Sequence, residues 1–406
     1  MDQPAEQSTG TRIALGLVFL SGFAALVYQV LWMKQIGLLF GNTSHAASVT
    51  LASFFAGLAT GSWVWGRRVS TGTNPMRTYA WLEAAIAATA LLYFVILAVY
   101  QAIYPAIHQG IGPGGLLLLI KFALSLLLVF PPAFFMGGTI PVIGQYMVRE
   151  RKAFGRTSAL MYGINTLGAA IGAALAGFYL PLWLGFNATC GLAILVSGGV
   201  AAIAFRLSRQ ATPITFDAGE DETPAPDAIE EPQVRLTRQQ RRELERQQRK
   251  QAPEQLPAPP PPPQSPPTSG RMAILFLCFL SGFGVLALEV LWTRLFSQVL
   301  ENSVYTFAAI LVVVLCCLAL GALLSSRLAR LGAPPFLVLA LLALAGAGAV
   351  TATPAIFMAV TDGMQLISSP GNWSSQILLI FKSAALAIGP SAVLLGTIFP
   401  YLMKVE

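Results

Sequence analysis

The chain carries one long apolar segment twice. Residues 21–68 align without a gap on residues 281–328, and 13 of the 48 aligned pairs are identical. Two unrelated apolar helices would share Leu and Val, but not this order of Ser, Gly, Trp and Asn. The repeat therefore predicts a duplicated helical bundle, an arrangement common among membrane transporters. The most informative identical pairs are Ser21/Ser281, Gly22/Gly282, Phe23/Phe283, Trp32/Trp292, Asn42/Asn302, Gly61/Gly321 and Arg67/Arg327.

The composition is that of a membrane protein. Hydrophobic residues make up 55% of the chain and charged residues 11%, whereas soluble domains are roughly 25% charged. The predicted partner is thus the lipid bilayer, and nothing in the sequence indicates nucleic-acid binding. The four cysteines lie in apolar runs without metal-ligand spacing. We interpret them as packing residues and predict no metal site.

The fold class predicted is all-α, a polytopic membrane bundle of about ten transmembrane helices. A span needs about 20 apolar residues. The first half contains six such segments and the second half four, at 13–35, 43–66, 78–100, 115–147, 157–182, 186–206, 272–295, 302–326, 334–358 and 374–403. Pro131 and Pro132 predict a kink in the fourth.

Three regions follow from this pattern. Residues 1–206 form the first membrane repeat and residues 271–406 the second, with a linker at 207–270 between them. The linker has acidic, basic and proline-rich blocks that cannot form a core, so we predict disorder. Its basic block either lies as a helix on anionic lipid or is part of a solvated linker.

Lys and Arg favour the cytoplasmic side of a membrane. Arg67, Arg77, Arg149 and Arg327 all lie in loops on one side of this layout, and so does the basic linker. We therefore predict a multi-pass protein of the inner cell membrane with both termini in the cytoplasm. Tyr28, Trp32 and Trp292 are expected in the aromatic belt at the outer interface.

A set of motifs resembles a known family. These are the helix openings SGF…VYQVLW and SGF…LEVLW, the loops GLATGSWVWGRR and LALGALLSSRLARLG, the turns GGTIP and GTIFP, and the segment YGINTLGAAIGAALAGFYLPLWLG. Together they cover nearly all of both halves and resemble fused major-facilitator-like/spermidine-synthase-like membrane proteins. The resemblance implies a major-facilitator-like bundle of two repeated halves, the second of which is incomplete here.

Members of that family carry such helices ahead of an aminopropyltransferase-like domain. That domain is not found within residues 1–406. A GxGxxG string at Gly110, Gly112 and Gly115 lies in a short loop ahead of a helix, whereas a dinucleotide loop follows a strand. We therefore expect no cofactor and no catalytic residues in this chain.

Three functions remain open at this point. In the first, the chain is a transporter-like module that moves or channels a small polar metabolite such as a polyamine. Alternatively, it is the membrane-anchoring part of an aminopropyltransferase whose catalytic domain or subunit lies outside these residues. The third alternative is a structural membrane scaffold.

Four polar side chains inside the predicted helices are the candidate substrate-cavity residues, because ionisable groups are costly in a bilayer. Gln29 and Glu289 are equivalent by the repeat, and Lys121 and Lys382 occupy roughly corresponding places in their halves. All four lie about 8–12 Å from the outer helix ends at about 1.5 Å per residue.

The resemblance implies that the helices carrying these four residues line a central cavity, where Glu289 would pair with Lys121 or Lys382. The alternative is that both lysines extend to the outer headgroups while Glu289 is hydrogen-bonded inside the bundle. Arg67, Arg68 and Arg327 are the candidate gating-loop residues. Glu83, near the cytoplasmic face, is expected to pair with Arg67 or Arg68.

The orientation is testable by fusing alkaline phosphatase to the chain at two sites. A fusion after Ser70 is expected to be inactive, because that loop is predicted to be cytoplasmic, where the enzyme does not fold. A fusion after Gly112 is expected to be active. The reverse pattern of activities would show that the predicted orientation is wrong.

Overall fold

The computed structural model describes residues 3–40, 44–68, 74–111, 115–147, 154–210, 268–300, 304–331, 333–365, 367 and 372–405. It is 93% helical, and no strand occurs among these residues. The prediction of an all-α polytopic bundle is thereby confirmed.

Eleven helices lie in the described ranges. In the first half they are α1 (Gln3–Phe40), α2 (Ser44–Arg68), α3 (Pro75–Ile111), α4 (Gly115–Met147), α5 (Phe154–Phe178), α6 (Leu180–Leu184) and α7 (Phe186–Gln210). In the second half they are α8 (Thr268–Phe296), α9 (Val304–Leu328), α10 (Pro335–Val360) and α11 (Trp373–Val405).

One predicted boundary was wrong. A single helix was expected over 157–182, but α5 ends at Phe178 and the short α6 follows it. Pro181 explains the break, because its ring would clash with the carbonyl four residues earlier and it cannot donate a backbone hydrogen bond. Tyr179 leaves the helical conformation at φ −130°, and Pro181 lies in the first turn of α6, where proline is tolerated.

Nine of the described helices are long and apolar enough to cross a membrane. They are the helices other than α2 and α6. The sequence predicted a span at α2 as well, and a helix of 25 residues does form there. Its many Gly, Ser, Thr and Ala residues make it less apolar than the others, and its principal neighbour in the bundle is α4.

Residues Met1–Ile214 and Phe276–Glu406 form one compact unit. Within the first half, α1 packs against α5 and α7, α2 against α4, and α3 against α4 and α7. Within the second half, α11 packs against α9 and α10. The two halves meet chiefly where α5 packs on α9. The other compact unit, Thr215–Leu275, is described only from Thr268, where it is helical.

The sequence repeat is also a repeat of helix contacts. A Cβ atom added to Gly61 on α2 would lie 1.8 Å from the Phe134 carbonyl oxygen on α4. At the repeat-equivalent Gly321 on α9, an added Cβ would lie 2.7 Å from the Gly396 carbonyl carbon on α11. In both halves a glycine therefore lets two backbones touch, which is how membrane helices associate closely.

The glycines of α5 bring it against α1 in the same way. Added Cβ atoms on Gly168 and Gly172 would lie 2.1 Å from the Phe19 carbonyl oxygen and 2.3 Å from that of Phe23. These are the glycines of the GAAIG sequence, and their lack of a side chain permits the close packing. α1 is thereby fixed against α5 along more than one helical turn.

The buried apolar side chains of the first half form two clusters. The larger cluster includes Ala24 and Ile86 and extends into the second half at Phe307 and Ile380. The smaller cluster includes Leu17 and Leu82, with members on α1, α3, α4, α5 and α7. A third cluster, around Trp292 and Phe357, belongs to the second half.

The α1–α5 contact gives a stability prediction. Gly168→Ala places a methyl group on the Phe19 carbonyl and should destabilise the protein by about 1–3 kcal/mol, the usual cost of overpacking. The matched control is Gly163→Ala on the same helix, where an added Cβ meets nothing within 4 Å. Thermal unfolding in lipid nanodiscs measures both. Equal melting temperatures would show that the close contact is absent.

Candidate functional site

Gln29 and Glu289 are buried at their repeat-equivalent positions. Gln29 on α1 is 3% exposed and Glu289 on α8 is 4% exposed. Within the described part of the chain, the Gln29 Nε2 atom and the Glu289 Oε1 atom have no hydrogen-bond partner. Because an unsatisfied buried polar group costs roughly 1–3 kcal/mol of stability, each of these two side chains destabilises the bundle.

The two lysines differ in their surroundings. Lys121 on α4 is partly buried, with its Nζ atom 5.9 Å from the centre of the Tyr104 ring on α3. Lys382 on α11 is exposed. Among the described residues, neither lysine donates a hydrogen bond to Glu289 Oε1. The four candidates thus occupy corresponding helices, but the anticipated Glu289–lysine pair is not formed in this structure.

Glu289 lies in apolar surroundings. One turn along α8, Trp292 is 3% exposed, and two turns along, Phe296 is fully buried. The Phe296 ring packs edge-on against Phe357 of α10, with centroids 5.0 Å apart. The neighbouring Thr293 hydroxyl donates to the Glu289 backbone carbonyl at 2.8 Å, and not to its carboxylate.

The candidate gating arginines lie at helix ends. Arg67 and Arg68 end α2, and their guanidinium carbons lie 4.5 Å from the Trp63 ring and 5.6 Å from the Trp65 ring. Such cation–π contacts hold an arginine in place near the membrane surface. Arg327, in the last turn of α9, is exposed. A gating role for these residues stays a prediction.

The expected pairing of Glu83 with Arg67 or Arg68 was wrong. Glu83 on α3 is 1% exposed, and its Oε1 atom accepts a short hydrogen bond from the Ser21 hydroxyl on α1. Tyr79, one turn earlier on α3, also interacts with the carboxylate. Glu83 therefore joins α1 to α3 inside the bundle, because it points toward α1 and away from the end of α2.

Ser21 and Glu83 belong to a set of buried polar residues that the sequence analysis missed. Each lies between the larger and the smaller apolar cluster along its own helix. The same is true of one residue on α4, one on α5 and one on α7. We call these five the polar layer, and all are at most 8% exposed: Ser21, Glu83, Thr139, Thr166 and Ser197.

The polar layer gives a weak signal in the sequence. Hydroxyl residues are common in membrane helices because they can bond to their own backbone, as Thr139 does to Met136 and Thr166 to Tyr162. Gln29 and Glu289 were grouped by their distance from the outer helix ends. The same comparison of distances from the cytoplasmic helix ends would group the residues of the polar layer. Glu83 was assigned to Arg67 or Arg68 instead.

The aromatic residues expected at the outer interface are also placed differently. Tyr28 and Trp32 are fully buried, and Trp292 is 3% exposed. The Tyr28 and Trp32 rings stack with centroids 5.2 Å apart, and Trp32 lies 6.0 Å from Tyr93 of α3. The belt prediction was therefore wrong, since Tyr28 and Trp32 form part of the core between α1 and α3 and Trp292 lies in the cluster of the second half.

Comparison of the chain with protein-family models and with curated proteins finds no match. In the described residues, no three His, Cys, Asp or Glu side chains are grouped as metal ligands. The four cysteines are free thiols, and Cys190 and Cys317 are buried.

The Ser21–Glu83 contact predicts a specific loss of stability. Ser21→Ala removes the donor to a buried carboxyl oxygen and should cost about 1–3 kcal/mol of unfolding free energy. Ser62→Ala, at an exposed position on α2, is the control and should stay within about 0.5 kcal/mol of the unmodified protein. Denaturant or thermal unfolding in lipid checks both. Ser21→Ala as stable as Ser62→Ala would contradict the contact.

Proposed function

We propose that the chain is a transporter-like membrane module that moves a small polar metabolite, with a polyamine as the first substrate to test. One observation carries the proposal. The repeat-equivalent Gln29 and Glu289 are both buried and both present an unpartnered polar atom. A purely structural bundle would gain stability from apolar residues at these two positions.

The positions of the two side chains in the bundle support the proposal. Transporters built from repeats commonly bind substrate where the repeats meet. Val290, the residue after Glu289, packs against the larger cluster, which has members from both halves. The Phe178 ring of the first half contacts Phe381 at 5.3 Å, and Phe381 precedes Lys382. Lys382 therefore lies at a level where the two halves are in contact, and Glu289 lies beside the cluster that they share.

The charges favour a cationic substrate group at Glu289. Its carboxylate is not neutralised by an ion pair within the described part of the chain, so a bound ammonium group would supply the missing partner. Lys382 and Lys121 would then contact a different part of the substrate or its counter-ion. Uptake assays with cationic and with anionic metabolites determine the sign of the substrate charge.

The proposal predicts an uptake defect. In proteoliposomes, Glu289→Gln should reduce polyamine uptake at least about tenfold, the effect of losing roughly 1.4 kcal/mol of binding. Lys382→Met should reduce it as well if the substrate also contacts this side chain. Lys34→Met, at an exposed lysine on α1, is the matched control and should transport normally.

Uptake that is unchanged in both Glu289→Gln and Lys382→Met would contradict the proposed site. Uptake of anionic in place of cationic metabolites, lost in Lys382→Met, would keep transport but reverse the substrate charge. Unmodified protein that transports neither class would contradict the transport function.

A further inference from the structure

We propose that Glu83, with Ser21 and Tyr79, forms an intramembrane proton-binding site that is loaded and unloaded during the transport cycle. The second part of this statement rests on the proposed function, whereas proton binding by Glu83 does not. In the binding step, the ionised carboxylate takes a proton from hydronium, which is left as a water molecule, and becomes a neutral carboxylic acid.

The hydrogen bonds leave one carboxyl oxygen of Glu83 for the proton. Oε1 accepts from the Ser21 hydroxyl. Within the described residues, Oε2 is buried without a hydrogen-bond partner. The Tyr79 hydroxyl lies 3.3 Å from the Leu17 backbone oxygen, so Tyr79 also connects α3 with α1. The site is thus built by two helices. Ser21 donates to one carboxyl oxygen of Glu83, and the other oxygen has no hydrogen-bond partner among the described residues.

The charges around Glu83 favour the neutral acid. The neighbours that face it are Ser21 and Tyr28 from α1 and Tyr79 from its own helix. The polar-layer residues of the other packed helices are Thr139, Thr166 and Ser197, and Tyr28 lies beside Ser197. All of these side chains are uncharged in their ordinary states. No lysine, arginine or histidine of the described ranges acts on the carboxylate, so a proton would compensate its charge.

The lack of space excludes a larger ligand in this conformation. Glu83 is 1% exposed and Ser21 is 8% exposed. At the next residue of α1, an added Cβ on Gly22 would lie 2.7 Å from the Asn165 side-chain oxygen of α5. A metal ion or a metabolite would need the helices to separate. A proton adds almost no volume, and so it can occupy the site as the helices are packed here.

The position of the polar layer provides a route for exchange of the proton. Glu83 lies eight residues from Pro75, where α3 begins, which corresponds to about 12 Å along the helix. The smaller apolar cluster fills that distance. Separation of α1 from α3 in this cluster would give the carboxyl group access to water from the predicted cytoplasmic side, while the larger cluster stays closed.

Among the residues that the structure describes, this site occurs once. Ser21 has a repeat equivalent in Ser281, and continuing the same offset of 260 residues beyond the aligned segment places Ala343 where α3 has Glu83. Glu289, conversely, has Gln29 as its equivalent. Each half therefore carries one intramembrane carboxyl group at a position where the other half has an uncharged residue. We assign proton binding to Glu83 and substrate contact to Glu289.

Infrared difference spectroscopy of the full chain in lipid tests the site without a transport assay. Between about pH 9 and about pH 5, the unmodified protein should gain a carboxylic-acid C=O band that is absent from Glu83→Gln. Ser21→Ala should keep the band but shift its frequency, because the hydrogen bond to Oε1 is lost. Glu289→Gln controls for the other buried carboxyl group and should retain the Glu83 band.

Two outcomes would overturn the proton site. One is a difference spectrum unchanged by Glu83→Gln. The other is a Glu83 acid band of constant intensity across the pH range, which would make Glu83 a permanently neutral hydrogen-bonding group.

The role of Glu83 in transport is tested separately, by measuring uptake. If Glu83 loads protons during the cycle, Glu83→Gln should remove the dependence of uptake on a pH gradient. Uptake that keeps this dependence, or that follows a sodium gradient, would contradict the coupling role. A band that titrates in a protein without uptake would leave proton binding intact and contradict the transport function alone.

Discussion

Contact between helix backbones at glycine is the interaction on which the rest of this bundle depends. In a bilayer, apolar side chains gain little from leaving lipid for protein, so helices associate through close packing and polar contacts. Gly168 brings α5 onto α1, and Gly61 and Gly321 bring α2 onto α4 and α9 onto α11. The contact of α5 with α1 sets the position of α1, whose buried Ser21 side chain reaches Glu83 of α3.

The positions of the buried polar side chains depend on that packing. Ser21 meets Glu83 because α1 and α3 lie close enough for a short hydrogen bond. Gln29 lies farther along α1 with its Nε2 atom unpartnered within the described residues. The fold therefore holds polar side chains at two depths, the polar layer and the level of Gln29. The two proposals assign a different task to each depth, proton binding to Glu83 and substrate contact to Glu289.

Much of the fold could be predicted from the sequence, because the repeat and the apolar run lengths determine where helices form. The end of α5 was missed although Pro181 signals it, since the apolar run continues through the proline. Partners were harder to predict than helices. Glu83 was assigned to Arg67 or Arg68 because they lie near the same predicted membrane face, whereas its partner Ser21 is set by how α1 packs. Trp32 was placed at the interface because its type is common there, yet α3 covers it.

The central claim is that the two repeated halves form one bundle through α5 and α9. Chemical cross-linking tests it most directly, in a chain whose native cysteines are replaced and whose linker carries a protease site. Cysteines at Phe178 and Tyr305, whose rings stack with centroids 5.8 Å apart, should join the halves after protease cleavage. A pair at Trp183 and Leu344, both exposed, should not. Efficient cross-linking of the second pair alone would contradict the account.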